Sequence, residues 1–595
     1  MMLPREVYLY REAEFSASAE RLQKLSNRLS VARLAAFAGG LVLFAVLLSL
    51  SVIAAVATLA AALILFTWLV IKYESTEKSR KRYLHLAEIN SLELKCLDGD
   101  FSSYKPGTEY TERDHPYTYD LDIFGKASLF QYICRTTSKP GADLLAEYLG
   151  KPAEINEIVS RQEAVSELQP LTDWRQELII QGYLTANAGN DPFQLTEWLA
   201  SKDKFTKTTR EKITIVALSA LTLSVLTLVI AGNPVALLIL VLIINFLYYF
   251  TRLKRINKLH EQVSRSADLL KSYSEIIRLI ENKDFRALKL TGLQDSFKDE
   301  HPASERISNL SKLLNRLDSR LNMIMAIPLN AIFFSDIHFC LAIEKWKRTN
   351  AAKVWEWFSA MSEFEVLASL ANTSFNNPAW VFPEITHNYF EFRAENMGHP
   401  LLPESRRVCN DFSTSDTGNT IIVTGSNMSG KSTFLRTCGI NAVLAFAGAP
   451  VCASSFTISF MRLHTSMRIS DSLEENISSF YAELRRMREI ISAAEKDPAA
   501  FLLLDEILRK TNSDDRYAGS VALIKQLTGY GAVAMVATHD LRLAGLEKDL
   551  PERIDNYHFD VKVSGEELYF DYLLTPGICT SFNASLLMKK MGIKV

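Results

Sequence analysis

Two long apolar runs interrupt an otherwise mixed chain of 595 residues: Leu34 to Ile71 and Ile213 to Thr251 contain no Asp, Glu, Lys or Arg. As one helix the first run would be about 57 Å long, roughly twice the hydrocarbon thickness of a bilayer. Divided near Ser49 to Ser51, it gives two passes of about 27 Å each. The second run is divided at Ala231-Gly232-Asn233-Pro234, a strong turn sequence. Arg33 precedes the first run and Lys72, Lys78, Arg80, Lys81 and Arg82 follow it; Arg210 and Lys212 precede the second, and Arg252, Lys254 and Arg255 follow. The excess of cations on every flank predicts four membrane spans in two hairpins, with all flanks on the cytoplasmic side of a multi-pass cell (inner or plasma) membrane protein. Tyr248 and Tyr249 fit an interfacial aromatic belt. Membrane orientation and anionic lipid account for these basic clusters without nucleic acid.

Elsewhere the pattern changes period. Tyr8 to Arg33 reads as an amphipathic surface helix. Tyr117 to Leu168 reads as amphipathic helices punctuated at Lys139-Pro140-Gly141, and Ile256 to Leu321 as a charged, lever-like helical stretch. Leu321 to Ser335 is apolar but short and holds Pro328, which predicts a buried helix and not a fifth span. Beyond residue 400 the apolar runs are short: Ile421 to Val423, which is β-branched, Phe501 to Leu504 and Ala532 to Ala537 predict buried strands. Tyr557 to Val563 and Glu567 to Leu573 form an expected hairpin turned at Ser564-Gly565, with a last helix over Ser581 to Met591.

Composition adds little. The net charge is −2, so no global basic bias advertises nucleic acid. Seven scattered cysteines without a C-x-x-C pair suit a reducing cytoplasm and argue against structural zinc. The charged, polar first segment is too long and too acidic for a cleavable signal peptide.

The chemistry concentrates after the first short strand. Gly425, Ser426, Asn427, Met428, Ser429, Gly430, Lys431, Ser432 and Thr433 follow it, and a helical stretch from Phe434 comes next. Their order fits G-x-x-x-x-G-K-[ST] in its required strand–loop–helix setting. Glycines let successive N–H groups face phosphate oxygens, Lys431 reaches the terminal phosphates, and Ser432 offers a hydroxyl to Mg²⁺. ATP and Mg²⁺ are therefore the expected cofactors. The second strand ends in Asp505, a second metal position, and Glu506, placed to orient or deprotonate water. Two solvated acids are the alternative reading of that pair. The third strand ends at Thr538-His539; His539 can sense the γ-phosphate or be merely structural.

These residues resemble a known family. G-S-N-M-S-G-K-S-T-F-L-R, L-L-D-E-I-x-R-x-T and A-T-H-D-L are similar to the ATPase domain of the MutS family, the dimeric ABC-type ATPases of DNA mismatch repair and their relatives. His399-Pro400 and Asn476 to Glu483 sit where that family has matching segments, and Tyr117 to Leu168 and Glu363 to Pro383 resemble its core and lever. The resemblance implies a homodimer with composite sites, in which Ser478 and Ser479 contact the nucleotide of the other subunit; by themselves, without the resemblance, the two serines read as a helix cap. It implies a fold of an α/β P-loop (ABC-type) ATPase domain plus an all-α core and lever, with the four spans added. The domains are then 1–33, an N-terminal cytosolic helix; 34–71, the first hairpin; 72–116, a linker or helical segment; 117–212, the first part of the core; 213–251, the second hairpin; 252–395, core and lever helices; and 396–595, the ATPase domain. The N-terminus, core and ATPase domain lie in the cytoplasm.

Three departures matter. The family's G-R-G-T-S-T-Y-D-G loop is here Leu508 to Arg516, with larger residues at three glycine positions, which predicts another loop conformation and slow hydrolysis. No segment resembles the mismatch-reading domain. With the chain stopping at Val595, no helix-turn-helix tail follows, so dimer contacts are expected from the ATPase face, core or hairpins. The expected function is that of a membrane-anchored MutS-type ATPase whose dimer closure is coupled to duplex or branched DNA, mismatched DNA included. An ATP-driven membrane machine or a nucleotide-gated scaffold without DNA is the alternative. Nothing in the spans points to a small-molecule transport substrate.

Overall fold

The computed structural model describes residues 3–186, 192–203, 205, 208–263, 266–426, 428–468, 479–497, 499–509, 511–564 and 567–579. The expected last helix at Ser581 to Met591 and Gly565 of the hairpin turn lie outside them. The chain divides into two compact units: residues 1–135, 143–172 and 366–595 form one, and residues 136–142 and 173–365 the other.

In the first unit the N-terminal region is a hairpin of two long helices, α1 (Pro4–Leu48) and α2 (Val52–Leu97), divided at Ser49 to Ser51. Neither helix breaks where its polar part meets its apolar part. The surface helix over Tyr8 to Arg33 is thus continuous with the apolar segment that follows it, because no Pro or cap intervenes. At the apolar end a Cβ added to Gly40 would lie 2.5 Å from Cβ of Ala62, so glycine sets the close approach of the two helices there. At the polar end Tyr8 is fully buried and its hydroxyl donates to Asn376 Oδ1 at 2.7 Å. Nearby, the buried Arg135 guanidinium donates from Nε to Glu93 Oε1 at 2.5 Å. Three shorter helices follow: α3 (Leu129–Ile133), α4 (Lys139–Gly150) and α5 (Ile155–Leu168). Lys139-Pro140-Gly141 opens α4, correcting its reading as a break. Ser138 Oγ accepts from Gly141 N at 3.0 Å, and proline suits a first helical turn.

The second unit is helical. It begins with α6 (Thr172–Ala186) and α7 (Pro192–Ala200), and continues with α8 (Thr208–Ile230) and α9 (Val235–Val263), which form the second apolar hairpin. Among the described residues four helices, α1, α2, α8 and α9, are long and apolar enough to cross a membrane, and a bent pair over Ala326–Phe333 and Ser335–Asn376 passes the same test of length and composition. The stretch after α9 is not one lever. It divides into α10 (Ala267–Glu281), α11 (Leu288–Asp295) and α12 (Ala303–Asp318), with Pro302 immediately before α12. Buried Ile276, Ile277 and Ile280 of α10 and Ile307, Leu310 and Leu314 of α12 make the core, and Ser311 Oγ donates to Ala267 O at 2.7 Å. The long helix is α14 (Ser335–Asn376), which contributes to both units. Before it comes α13 (Met323–Phe333), read from sequence as a buried helix. That reading needs correction: Ile327 is 65% exposed and Phe333 44% exposed.

The rest of the first unit is α/β. A four-stranded sheet contains β1 (Glu384–Thr386), β2 (Glu391–Met397), β3 (Asn410–Ser415) and β5 (Ser455–Ser459) in the order β1-β5-β2-β3. A six-stranded sheet contains β4 (Thr420–Gly425), β6 (Arg462–Ser466), β7 (Ala500–Asp505), β8 (Val533–Thr538), β9 (Ile554–Ser564) and β10 (Glu567–Pro576) in the order β10-β9-β4-β8-β7-β6. All neighbours are parallel except β10, which pairs antiparallel with β9 as the expected hairpin. The central strands β4, β7 and β8 are buried along nearly their whole length, as a sheet covered on both faces requires. The covering helices are α15 (Lys431–Ala447), α16 (Ser479–Lys496) and α17 (Ser513–Gly529).

Candidate nucleotide-binding site

In a parallel sheet the carboxyl ends of the strands carry the ligand. Register does this here: Thr424 of β4 pairs with Thr538 of β8, and Ala537 of β8 with Asp505 of β7. The phosphate loop, the acidic pair and His539 are thereby brought to one edge although they are widely separated in sequence. The loop turns through Gly425 (φ +147°), Met428 (φ +68°) and Gly430 (φ +106°) before α15 starts at Lys431. At Gly425 an added Cβ would lie 2.9 Å from Phe559 O, so both conformation and space call for glycine.

Lys431 is buried, and its Nζ donates to Gly425 O and Ser426 O, each at 2.8 Å. Burial pushes the Lys431 amine down from its usual range, while Glu506 and Asp505 pull it back up. Burial raises the Asp505 carboxyl, opposed first by its hydrogen bond with Ser432. The two expected metal positions therefore meet. Glu506 stands at φ +52°, its N donating to Ala537 O at 2.9 Å, and His539 Nδ1 lies 3.5 Å from Glu506 Oε1. Asn427, Ser478 and Lys510 lie outside the described residues, as does the side chain of Ser479, at the start of α16.

Sequence reasoning missed two groups. The first is Arg509: its Nη2 lies 3.2 Å from Asp505 Oδ2 and its Nε 3.3 Å from Glu506 Oε2, while its backbone N donates to Glu483 Oε1 at 3.0 Å. No local pattern marks an arginine as the counter-ion of both acids. The second is Tyr572, at φ +55°, whose ring lies against Gly430 and stacks on Phe570 with centroids 6.1 Å apart. Asn410 holds this bulged part of β10, donating to Tyr572 O at 3.1 Å and accepting from Leu574 N at 2.7 Å. A cavity of about 720 Å³ is lined by Asn410, Met428, Lys431, Ser432, Glu506 and Tyr572.

In the loop expected to change conformation, Leu508 has a left-handed backbone, at φ +55°, despite its side chain. Left-handed geometry costs a non-glycine residue about 1–2 kcal/mol. Leu508 offsets this by packing against the cluster of Ile507, Leu523 and Ile524.

The residues fit a nucleotide and Mg²⁺. The Ser426 and Ser429 hydroxyls are buried without a partner among the described residues, beside a glycine-lined loop and one buried ammonium. Ser432 and Asp505 are the hard oxygen donors that Mg²⁺ requires.

Residues 421–590 match the family model for MutS domain V. This part of the chain is MutS-like. Among curated relatives, the DNA mismatch repair protein MutS of Methanosarcina mazei is 34% identical over 223 residues, 36% of this chain and 24% of that protein. MutS of Aquifex pyrophilus is 31% identical over 229 residues, covering 38% and 26%. MutS of Thermotoga neapolitana is 30% identical over 267 residues, covering 43% and 31%. The chain thus spans about a quarter to a third of the length of these relatives, and the similarity supports the MutS family and an α/β P-loop ATPase fold for its C-terminal part.

Proposed function

We propose that the chain is a membrane-anchored MutS-like ATPase that binds ATP and Mg²⁺ at this edge and works as a homodimer, its closure coupled to duplex or branched DNA. One observation carries the ATPase reading: Lys431, Ser432, Asp505, Glu506 and His539 come from three strand ends to one edge. Lys431, the loop N–H groups and the hydroxyls of Ser426 and Ser429 hold the phosphates, and the Tyr572 ring offers a purine an aromatic face. Ser432 and Asp505 would hold Mg²⁺, which when bound would supply charge neutralisation on the phosphate oxygens. Glu506 accepts the proton of the attacking water at a carboxylate oxygen, and His539 fixes the orientation of that carboxylate.

DNA enters this reading from the printed names of the relatives, and membrane anchoring from the four long apolar helices with their basic flanks. The test is turnover by the full chain in vesicles, with and without duplex or branched DNA. DNA-stimulated turnover that is lost in Lys431→Ala supports the whole reading. Turnover indifferent to DNA leaves a membrane machine that works without it. A second reading, a nucleotide-gated scaffold with slow hydrolysis, is favoured by Arg509, which pairs with both carboxylates the reaction needs.

A further inference from the structure

We propose that α13 is a third membrane element: a shallow helix docked on the α8–α9 hairpin, its exposed apolar side chains covered by lipid acyl chains. This rests on the membrane reading of that hairpin. From Leu321 to Ser335 there is no charged residue, and α13, at 11 residues, is about 16 Å long, roughly half the hydrocarbon thickness. It packs on both α8 and α9.

A polar pin holds it there. Asn245 of α9 is fully buried, and its Nδ2 donates at 2.8 Å both to Thr222 Oγ1 of α8 and to Ala331 O of α13. The last carbonyls of a helix have no partner of their own, and Asn245 supplies one for Ala331. Such a bond is worth making where no water competes, which is why polar side chains inside spans are turned towards neighbouring helices.

Apolar side chains of α13 are open: Ile327 is 65% exposed, and Leu329 and Phe333 are exposed as well. On α9, Ile243 (59%), Phe246 and Leu247 are exposed in the same way. Bilayer is the occupant that covers both sets of side chains at once.

The depth is limited on the far side. The chain bends by 77° between α13 and α14, at Phe334 (φ +51°). Immediately beyond, Asp336 accepts from Tyr249 OH at 2.8 Å and lies 3.4 Å from Arg320. One turn from Tyr249, Arg252 lies 3.1 Å from Glu211. These charged pairs mark the level of the membrane boundary. Since α14 continues through Glu344, Lys345, Lys347 and Arg348, it cannot complete a fifth span.

The test uses the full chain in nanodiscs, in a Cys409→Ser background, the other six cysteines being buried. A bimane fluorophore is placed at Ile327→Cys on α13, at Ile243→Cys on α9 and at the exposed Leu288→Cys on α11. Lipids brominated at mid-chain and aqueous iodide serve as the two quenchers. The expected result is loss of fluorescence to brominated lipid at positions 327 and 243, and to iodide at 288. Quenching of 327 by iodide alone, with 243 still quenched by lipid, overturns the proposal and leaves the hairpin reading intact. Quenching of 243 by iodide overturns the hairpin reading and this one with it. In Asn245→Leu the label at 327 is expected to gain iodide quenching; if it does not, Asn245 is not the pin.

Discussion

At the edge of the six-stranded sheet, the groups proposed to hold phosphate lie within one loop, from Gly425 to Ser432. In the cluster of α8, α9 and α13, the groups that meet come from Thr222, Asn245 and Ala331, on three separate helices. The loop leaves two buried hydroxyls without partners among the described residues and turns its one ammonium onto its own carbonyls. The helix cluster spends the Nδ2 donor of Asn245 on fastening helices together, while Asn245 Oδ1 is buried without a partner among the described residues. The loop's polar reserve lies within consecutive residues, whereas the cluster's contacts are assembled from three helices. This is why the first can be recognised as a contiguous motif and the second cannot.

The comparison can be broken most directly at Glu506. Glu506→Gln keeps the shape and removes the base, so turnover should fall about 100-fold or more while nucleotide binding persists. Single-turnover measurement with labelled ATP checks this, and an unchanged rate would assign the site to a scaffold. Next, Lys431→Ala should weaken nucleotide binding by roughly 10- to 100-fold, as loss of a charged hydrogen bond of about 1.5–3 kcal/mol requires. Binding retained at full strength would mean that the loop is not a phosphate cradle.

Arg509 sharpens the comparison, since it fills part of the reserve. Its ion pairs are about one-third exposed and worth only ~1 kcal/mol after screening. Arg509→Ala should therefore lower the Mg²⁺ concentration needed for nucleotide binding by about fivefold. An increased requirement would make Arg509 part of the binding apparatus.

Acid tests the same unit differently. Burial, with Arg436 and Arg407 nearby, pushes His399 down to about 4, so the folded state prefers it neutral. Its contribution is fully present above the ordinary histidine range and is lost as pH falls from about 6.5 towards 4. Thermal unfolding followed over that window should show destabilisation that His399→Gln reduces.

The smallest effect is expected in the helix cluster. Asn245→Leu should cost about 1 kcal/mol, the scale of an interhelical hydrogen bond within a membrane. Thr222 Oγ1 keeps its bond to Leu218 O at 2.8 Å, so only the links to Asn245 are lost. A loss comparable to that of a whole helix would show that Asn245 does more than pin α13.

What could be read from sequence followed chain proximity. The glycine-lined loop, the apolar strands ending in Asp505-Glu506 and Thr538-His539, and the breaks at Ser49–Ser51 and Ala231–Pro234 are all local signals, set by side-chain period and turn chemistry. Where burial by distant segments decided the outcome, the pattern misled. Leu321 to Ser335 looked like core because it is apolar, but composition does not say which neighbour covers a face. Ile256 to Leu321 read as a lever-like helical stretch, and its short breaks barely alter the period.

The sequence by itself determined the phosphate loop, its acidic partners and the apolar hairpins, since each depends on residues close together in the chain. Only the tertiary structure decided that Tyr572 lies against Gly430 and that Asn245 fastens α13. Those contacts depend on sheet register and helix packing, which bring together side chains whose spacing in the chain carries no periodic signal.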